Sequence, residues 1–179
     1  MENLKVGFIG LGGRGKGLMK SVLKRFDDVD VVAVCDEYED RADGAVELIR
    51  QFRGTEAAGY TKSDAFLSDK NVDIVIISAA WEAHVPLAVA SMRAGKITAL
   101  EVGGAYSVED CWLLVRTWEE TKTPFMFLEN CCFGKRELLQ NVTTAAICLG
   151  VQAGALLIAR MVIAILVSVY FDGFGDRRR

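Results

Sequence analysis

Residues whose types and spacing point to chemistry fall at five places along the chain. The first is Gly10-Leu11-Gly12-Gly13-Arg14-Gly15, which fits G-x-G-x-x-G. Gly10 permits a tight turn, and Gly12 lets the backbone approach a pyrophosphate. Gly15 lets a following helix pack close to the preceding strand. The free N–H groups and the dipole at that helix N-terminus favour phosphate charge. The second place is Asp36, 21 positions after Gly15. A carboxylate there suits the hydroxyls of an adenosine ribose and repels a 2′-phosphate, which favours NAD over NADP. Arg14 keeps that choice partly open, because a nearby arginine offsets the repulsion. The third is Ala80-Trp81-Glu82-Ala83-His84. Trp81 could stack on a flat ring, and His84 could donate to a cofactor ribose or carboxamide. A lone histidine at a helix start equally serves as a cap or a packing residue. Glu101 and Asn130 each end a further apolar run, and together with the others they make a polar rim at one crevice.

These residues need elements to position them. Lys5–Ile9 and Val31–Cys35 are apolar runs closed by a glycine turn and by Asp36, as buried parallel strands are. Between them Leu18, Met19, Val22, Leu23 and Phe26 recur at helical spacing. Ala42, Ala45, Val46 and Ile49 mark a second amphipathic helix. Gly59–Thr61 reads as a short strand, and Asp64–Leu67 as a single helical turn. Val72–Ser78 is a strong buried strand. Pro86 fits the first position of a helix running to Ala94, with Gly95 as its stop. Ile97–Glu101 is a strand. Ser107 and Asp110 form a capping-box pattern. Cys111, Leu114, Val115 and Trp118 mark the buried face of the helix that follows, and Phe125–Leu128 is a last strand. Strands alternating with helices predict an α/β fold, a Rossmann-type doubly wound parallel sheet over residues 1–140.

Composition sets the outer bounds. The chain has 179 residues, 51% of them hydrophobic and 25% charged, which excludes global disorder. A net charge of −3 argues against a nucleic-acid binder that relies on a basic surface. The five cysteines form no C-x-x-C pair and the only histidine is His84, so no metal site is expected. The odd cysteine count fits a reducing compartment. The N-terminus shows no basic segment leading into a long apolar one, so a cytoplasmic location is expected. A homo-oligomer is left open.

The first 139 residues resemble the N-terminal half of the Gfo/Idh/MocA oxidoreductase family. The matching residues are KVGFIGLGGRG, then VDIVIIS followed by W-x-x-H, then the strand-end glutamate of ALEVGGAY. EVGGAYSVEDCW and LENCCFGKREL resemble the branch of NAD-dependent α-N-acetylgalactosaminidases. The resemblance implies NAD contacts at Arg14 and Gly15, Asp36, Trp81 to His84, Glu101 and Val102, and Asn130. It implies an oxidoreductase acting on a sugar or cyclitol, with an NAD-dependent glycosidase or a non-catalytic nucleotide-binding module as alternatives. Many family members carry Glu-Lys-Pro after the fifth strand. Here Val102 and Gly103 follow Glu101, so a lysine at that place is not available for acid–base work.

Residues 141–179 break the pattern. Between Asn141 and Phe171 the only charge is Arg160. This apolar appendage reads as the remnant of the start of a second, substrate-binding domain in a truncated or frame-disrupted chain. Two other readings stay open. One is a buried element covering a sheet edge or dimer face. The other is a membrane span over 142–171, against which Arg160 lies mid-span. Without a second domain, catalysis is expected to be incomplete.

Overall fold

The computed structural model describes residues 3–129. Asn130 and the whole of the apolar tail, with its three readings, lie outside the described residues. Among the described residues, six strands alternate with five helices. The order is β1 (Leu4–Ile9), α1 (Gly13–Arg25), β2 (Val29–Cys35), α2 (Glu39–Arg53), β3 (Ala58–Tyr60), α3 (Ser63–Leu67), β4 (Ile74–Ile77), α4 (Trp81–Arg93), β5 (Ile97–Leu100), α5 (Val108–Thr121) and β6 (Phe125–Phe127). The strands lie in the order β3-β2-β1-β4-β5-β6. Every neighbouring pair is parallel.

This order gives the sheet its switch point. The chain moves outward from β1 to β3, returns to β4 beside β1, and moves outward again to β6. Right-handed crossovers then place α1 and α2 on one face and α4 and α5 on the other. In keeping with this, α1 touches α2 and α4 touches α5. All four residues of β4 are buried, as a central parallel strand covered on both faces requires. Val6, Phe8, Val75 and Ile77 belong to the fully buried core. The loops at the carboxyl ends of β1 and β4 part in opposite directions, which opens a crevice between them.

Two elements depart from the sequence expectation. The first is α4, which begins at Trp81 and holds Pro86 inside it, not at its first position. The missing Pro86 N–H frees the Glu82 carbonyl four residues back. Glu82 and Pro86 both lie on the exposed side, where water can take that carbonyl. The helix thus starts one turn earlier than a proline rule places it, right after the strand that feeds it. The second is α5, whose start is as expected. Ser107 is its N-cap, and the Ser107 hydroxyl accepts the Asp110 N–H at 3.0 Å. Asp110 reaches back to the N–H of Tyr106 at 3.2 Å, one residue before the cap. The buried face, however, matches the expected one only at Leu114. Leu114 and Thr117 turn inward, whereas Cys111 is exposed, Val115 is 43% exposed and Trp118 is 44% exposed. Helical spacing shows which residues share a side but not which side meets the sheet. The buried side of this helix runs through Leu114 and Thr117, and its main contact is with α4.

The two sides differ in energetic weight. Leu114→Ala is expected to cost about 2–5 kcal/mol in urea unfolding, the range for a buried leucine. Val115→Ala is expected to stay within about 0.5 kcal/mol of the parent. Equal losses at both positions would reverse the assignment of the faces.

Candidate functional site

The glycine turn sits at the switch point, where β1, β2, β4 and α1 meet within a few residues. The Gly10 N–H donates to the Cys35 carbonyl at 2.9 Å, and the Ser78 N–H to the Ile9 carbonyl at 2.8 Å. The Ser78 hydroxyl donates to the Gly10 carbonyl at 2.8 Å. Gly10 has φ +88°, and a Cβ there would strike the backbone of Ala79. A Cβ on Gly15 would collide with the Gly10 carbonyl oxygen and lie 2.6 Å from the Ser78 hydroxyl oxygen. Gly12 is different. It is the N-cap of α1 with an ordinary φ of −65°, and nothing lies within 4 Å of where its Cβ would stand. Two glycines are therefore forced by crowding, and the third leaves open space above the start of a helix. That open space is what a diphosphate needs.

A cleft of about 1090 Å³ opens there. Gly10, Gly12, Gly13 and Arg14 line one wall. Asp36 to Glu39 and Arg41 line the second, Thr61 to Ser63 the far end, and Ser78 to Ala80 with Ala83, Pro86 and Leu87 the third. Asp36 is only 7% exposed. Its Oδ2 accepts the Leu11 N–H at 2.6 Å, and its Oδ1 accepts the Tyr38 N–H at 3.1 Å. The carboxylate thus ties the end of β2 to the glycine turn, a structural duty that the sequence did not reveal. Each carboxylate oxygen has a second lone pair to offer a hydroxyl.

Arg14 and Glu101 hold one another. The Arg14 Nε and Nη2 lie 2.9 and 2.7 Å from Glu101 Oε1. Glu101 Oε2 accepts the Val102 N–H at 3.2 Å. Because β4 lies between β1 and β5, this pair bridges the mouth above the end of β4. Arg14 lines the cleft, and Glu101 stands behind it.

The Trp81–His84 segment is placed differently from its sequence reading. Ala79, Ala80 and Ala83 face the cleft, while Trp81, Glu82 and His84 are not among its lining residues. Glu82 is exposed in the first turn of α4, where a carboxylate suits the helix dipole. His84 is 1% exposed, and its Nε2 stands 3.1 Å from the Ala79 carbonyl. A carbonyl only accepts, so Nε2 carries the proton. Nδ1 is left as a buried acceptor with no hydrogen-bond partner among the described residues. The ring is thus buried and held by the turn into α4, apart from the residues that line the cleft.

Trp81 is 58% exposed, and its indole lies against Gly103. A Cβ on Gly103 would come within 2.7 Å of the indole nitrogen, and Gly103 has φ +116°. Proline cannot adopt that φ. The Val102-Gly103 departure from Glu-Lys-Pro thus has a steric partner in Trp81. Val102 itself is half-exposed beside this turn.

Cys35 also lines the cleft. Burial pushes its thiol up to about 11, with the charges of Asp36 and Glu37 adding to the shift. The thiolate is the nucleophile, so Cys35 is inert at neutral pH.

A parallel sheet with strand order 3-2-1-4-5-6, a glycine turn opening α1 at the switch point and a carboxylate ending β2 define a dinucleotide-binding α/β domain. Comparison with known proteins makes the class specific. The profile of an oxidoreductase family with an NAD-binding Rossmann fold, Gfo/Idh/MocA, matches residues 4–128, and the chain belongs to this family. It is 39% identical over 143 residues to glycosyl hydrolase family 109 protein 1 of Shewanella sp. (strain ANA-3). It is 38% identical to the α-N-acetylgalactosaminidase of Shewanella oneidensis. These matches cover 78% of the chain and 31% of each relative. A probable dehydrogenase from Thermotoga maritima aligns at a TM-score of 0.68 with 26% identity, over 79% of the chain and 41% of that protein. The scyllo-inositol dehydrogenase of Lactobacillus casei, solved with NAD(H) and scyllo-inositol, shares the fold at a TM-score of 0.69 and 19% identity, over 82% of the chain and 42% of that protein.

Two measurements probe the crowding and burial described. Gly15→Ala is expected to lower the unfolding free energy by more than about 2 kcal/mol, as overpacking against backbone does. Gly12→Ala is expected to change it by less than about 0.5 kcal/mol. Iodoacetamide with peptide mapping at pH 8 should label Cys111 in the folded protein and spare Cys35. Labelling of both at the same rate would contradict the burial of Cys35.

Proposed function

We propose that the cleft at the switch point binds NAD, for an oxidoreductase acting on a sugar or cyclitol. The observation that carries this reading is the open space over Gly12 at the start of α1, with Asp36 standing beside it. The diphosphate would lie over Gly12 and Gly13, close to Arg14. The adenosine ribose would reach the free lone pairs of Asp36. The nicotinamide half would then extend along Ser78 to Ala83, toward His84 Nδ1 and Glu101. NAD supplies hydride transfer when bound, while the chain supplies position and electrostatics. Arg14 would be shared between Glu101 and the incoming phosphates, so the negative diphosphate would meet a guanidinium already paired with a carboxylate. Val102 belongs to the same proposed rim.

The glycosidase reading rests on a separate observation. The turn after Glu101 has no lysine, and the chain is 38–39% identical over 143 residues to relatives named as a glycosyl hydrolase family 109 protein and an α-N-acetylgalactosaminidase. In both readings the described residues serve the cofactor. The groups that would orient a sugar are not among them.

Calorimetry with the full chain and NAD tests the site. Saturable binding is expected, and its absence in folded protein would sink the proposal. Asp36→Ala should weaken NAD binding by about 1–3 kcal/mol, the cost of losing a charged acceptor. The same variant should also lose about 1–2 kcal/mol of stability, because the buried Leu11 N–H loses its partner. Gly12→Ala should abolish detectable binding in a protein of unchanged melting temperature.

A further inference from the structure

The outer side of α5 carries an apolar face that the other described elements leave open. Val108 is 67% exposed and Trp112 57% exposed, and Val115, Trp118 and the Cys111 thiol are exposed beside them. Two tryptophans and two valines on one side of a single helix form the kind of apolar patch that marks an association surface. Val108, Cys111, Val115 and Trp118 recur at intervals of three, four and three residues. That is the a and d spacing of a seam between two helices packed side by side. Trp112 and Glu119 border the seam on one side. Glu109 and Arg116 lie beyond Trp112 on that same side, two turns apart. Both are exposed, and neither has an ion-pair partner among the described residues. No residue of α5 lines the cleft.

We propose that this face pairs with the same face of a second copy of the chain, the two α5 helices lying antiparallel about a two-fold axis. Such a contact is self-complementary, so one surface must supply both sides of it. With the axis near Leu113, Val108 meets the partner's Trp118, and Cys111 meets the partner's Val115. The a and d positions of the two helices then fill each other's gaps. The two Trp112 rings flank the axis. In the same register Glu109 comes within one residue of lying level with the partner's Arg116, and the reverse contact follows by symmetry. Glu119 meets the partner's Ser107, at the start of its helix, where a negative charge suits the dipole. A parallel pairing would instead set Glu109 against Glu109 and Arg116 against Arg116. The charges therefore select the antiparallel arrangement, and they give the second copy a complementarity that a chance apolar partner lacks. The seam is confined to one helix, which places the contact among small, reversible interfaces.

Analytical ultracentrifugation of the full chain over about 1–100 µM is expected to show a reversible monomer–dimer equilibrium. Val115→Glu should abolish the dimer, and at low concentration it should melt as the parent does because Val115 faces solvent. Glu109→Arg and Arg116→Glu should each weaken association about tenfold, since each sets like charges against one another twice across the axis. The two reversals combined should restore the parent's association. Val115→Cys should give a disulfide-linked dimer on mild oxidation, through the partner's Cys111, and adding Cys111→Ser should remove that link. A chain that is monomeric at every concentration would overturn the proposal and leave the face to another segment of the chain or to a different partner. A dimer that persists in Val115→Glu, or charge reversals that fail to rescue one another, would overturn it equally.

Discussion

The contact on which the rest depends is the approach of α1 to the backbone at Gly10. β1 and β4 can lie side by side, with α1 starting directly above them, only where no Cβ stands between helix and strand. Gly15 supplies that gap, and the Ser78 hydroxyl closes it by donating to the Gly10 carbonyl. The N-terminus of α1 is then aimed across the crevice and not out to solvent. Its unsatisfied N–H groups become the floor of the cleft. Asp36 completes the arrangement from the β2 side by accepting the Leu11 N–H. The turn is therefore held from two strands, and the open space over Gly12 is a consequence of that bracing.

The second constraint runs across the mouth. Arg14 belongs to α1 and Glu101 to the end of β5, so their pairing links two sides of the switch point over β4. Arg14 is partly exposed, and such pairs contribute on the order of 1 kcal/mol or less. The pair is thus weak as a brace and effective as a store of oriented charge. Arg14 lines the cleft while its guanidinium is held toward Glu101, and Glu101 uses its other oxygen on the Val102 N–H. The same economy appears at Trp81 and Gly103. The indole requires a glycine beneath it, and that glycine excludes the proline common elsewhere in the family. Two motifs that look independent in the sequence occupy one surface.

Most of the sheet was legible because its strands are short buried runs closed by turn residues, a pattern that few other folds produce. The glycine turn was legible because its spacing follows an apolar strand-like run and opens a run of helical spacing. What could not be read were choices made between elements. Pro86 is tolerated within α4 because its side of the helix faces water, and no local rule contains that fact. Val115 and Trp118 look like core residues by spacing, yet α5 buries Leu114 and Thr117 and leaves both of them half-exposed. His84 was legible as a polar residue at the sheet edge. Its proton is fixed by the Ala79 carbonyl, a partner five residues earlier that only the turn into α4 brings near.

The hidden role of Asp36 shows how this limits functional reading. A strand-end carboxylate was read as a ligand for the ribose. In the fold both of its oxygens are already engaged by backbone N–H groups, and a guanidinium stands behind it. A buried carboxylate with two hydrogen bonds from backbone N–H groups is fixed in direction. Such a group is a better hydroxyl acceptor than a mobile one, because no ordering remains to be done when the sugar arrives. Structural and ligand-binding duties are therefore not competing descriptions of Asp36. The bonds that build the turn are the ones that orient the carboxylate, and whatever disturbs the turn must also disturb the end of the cleft it serves.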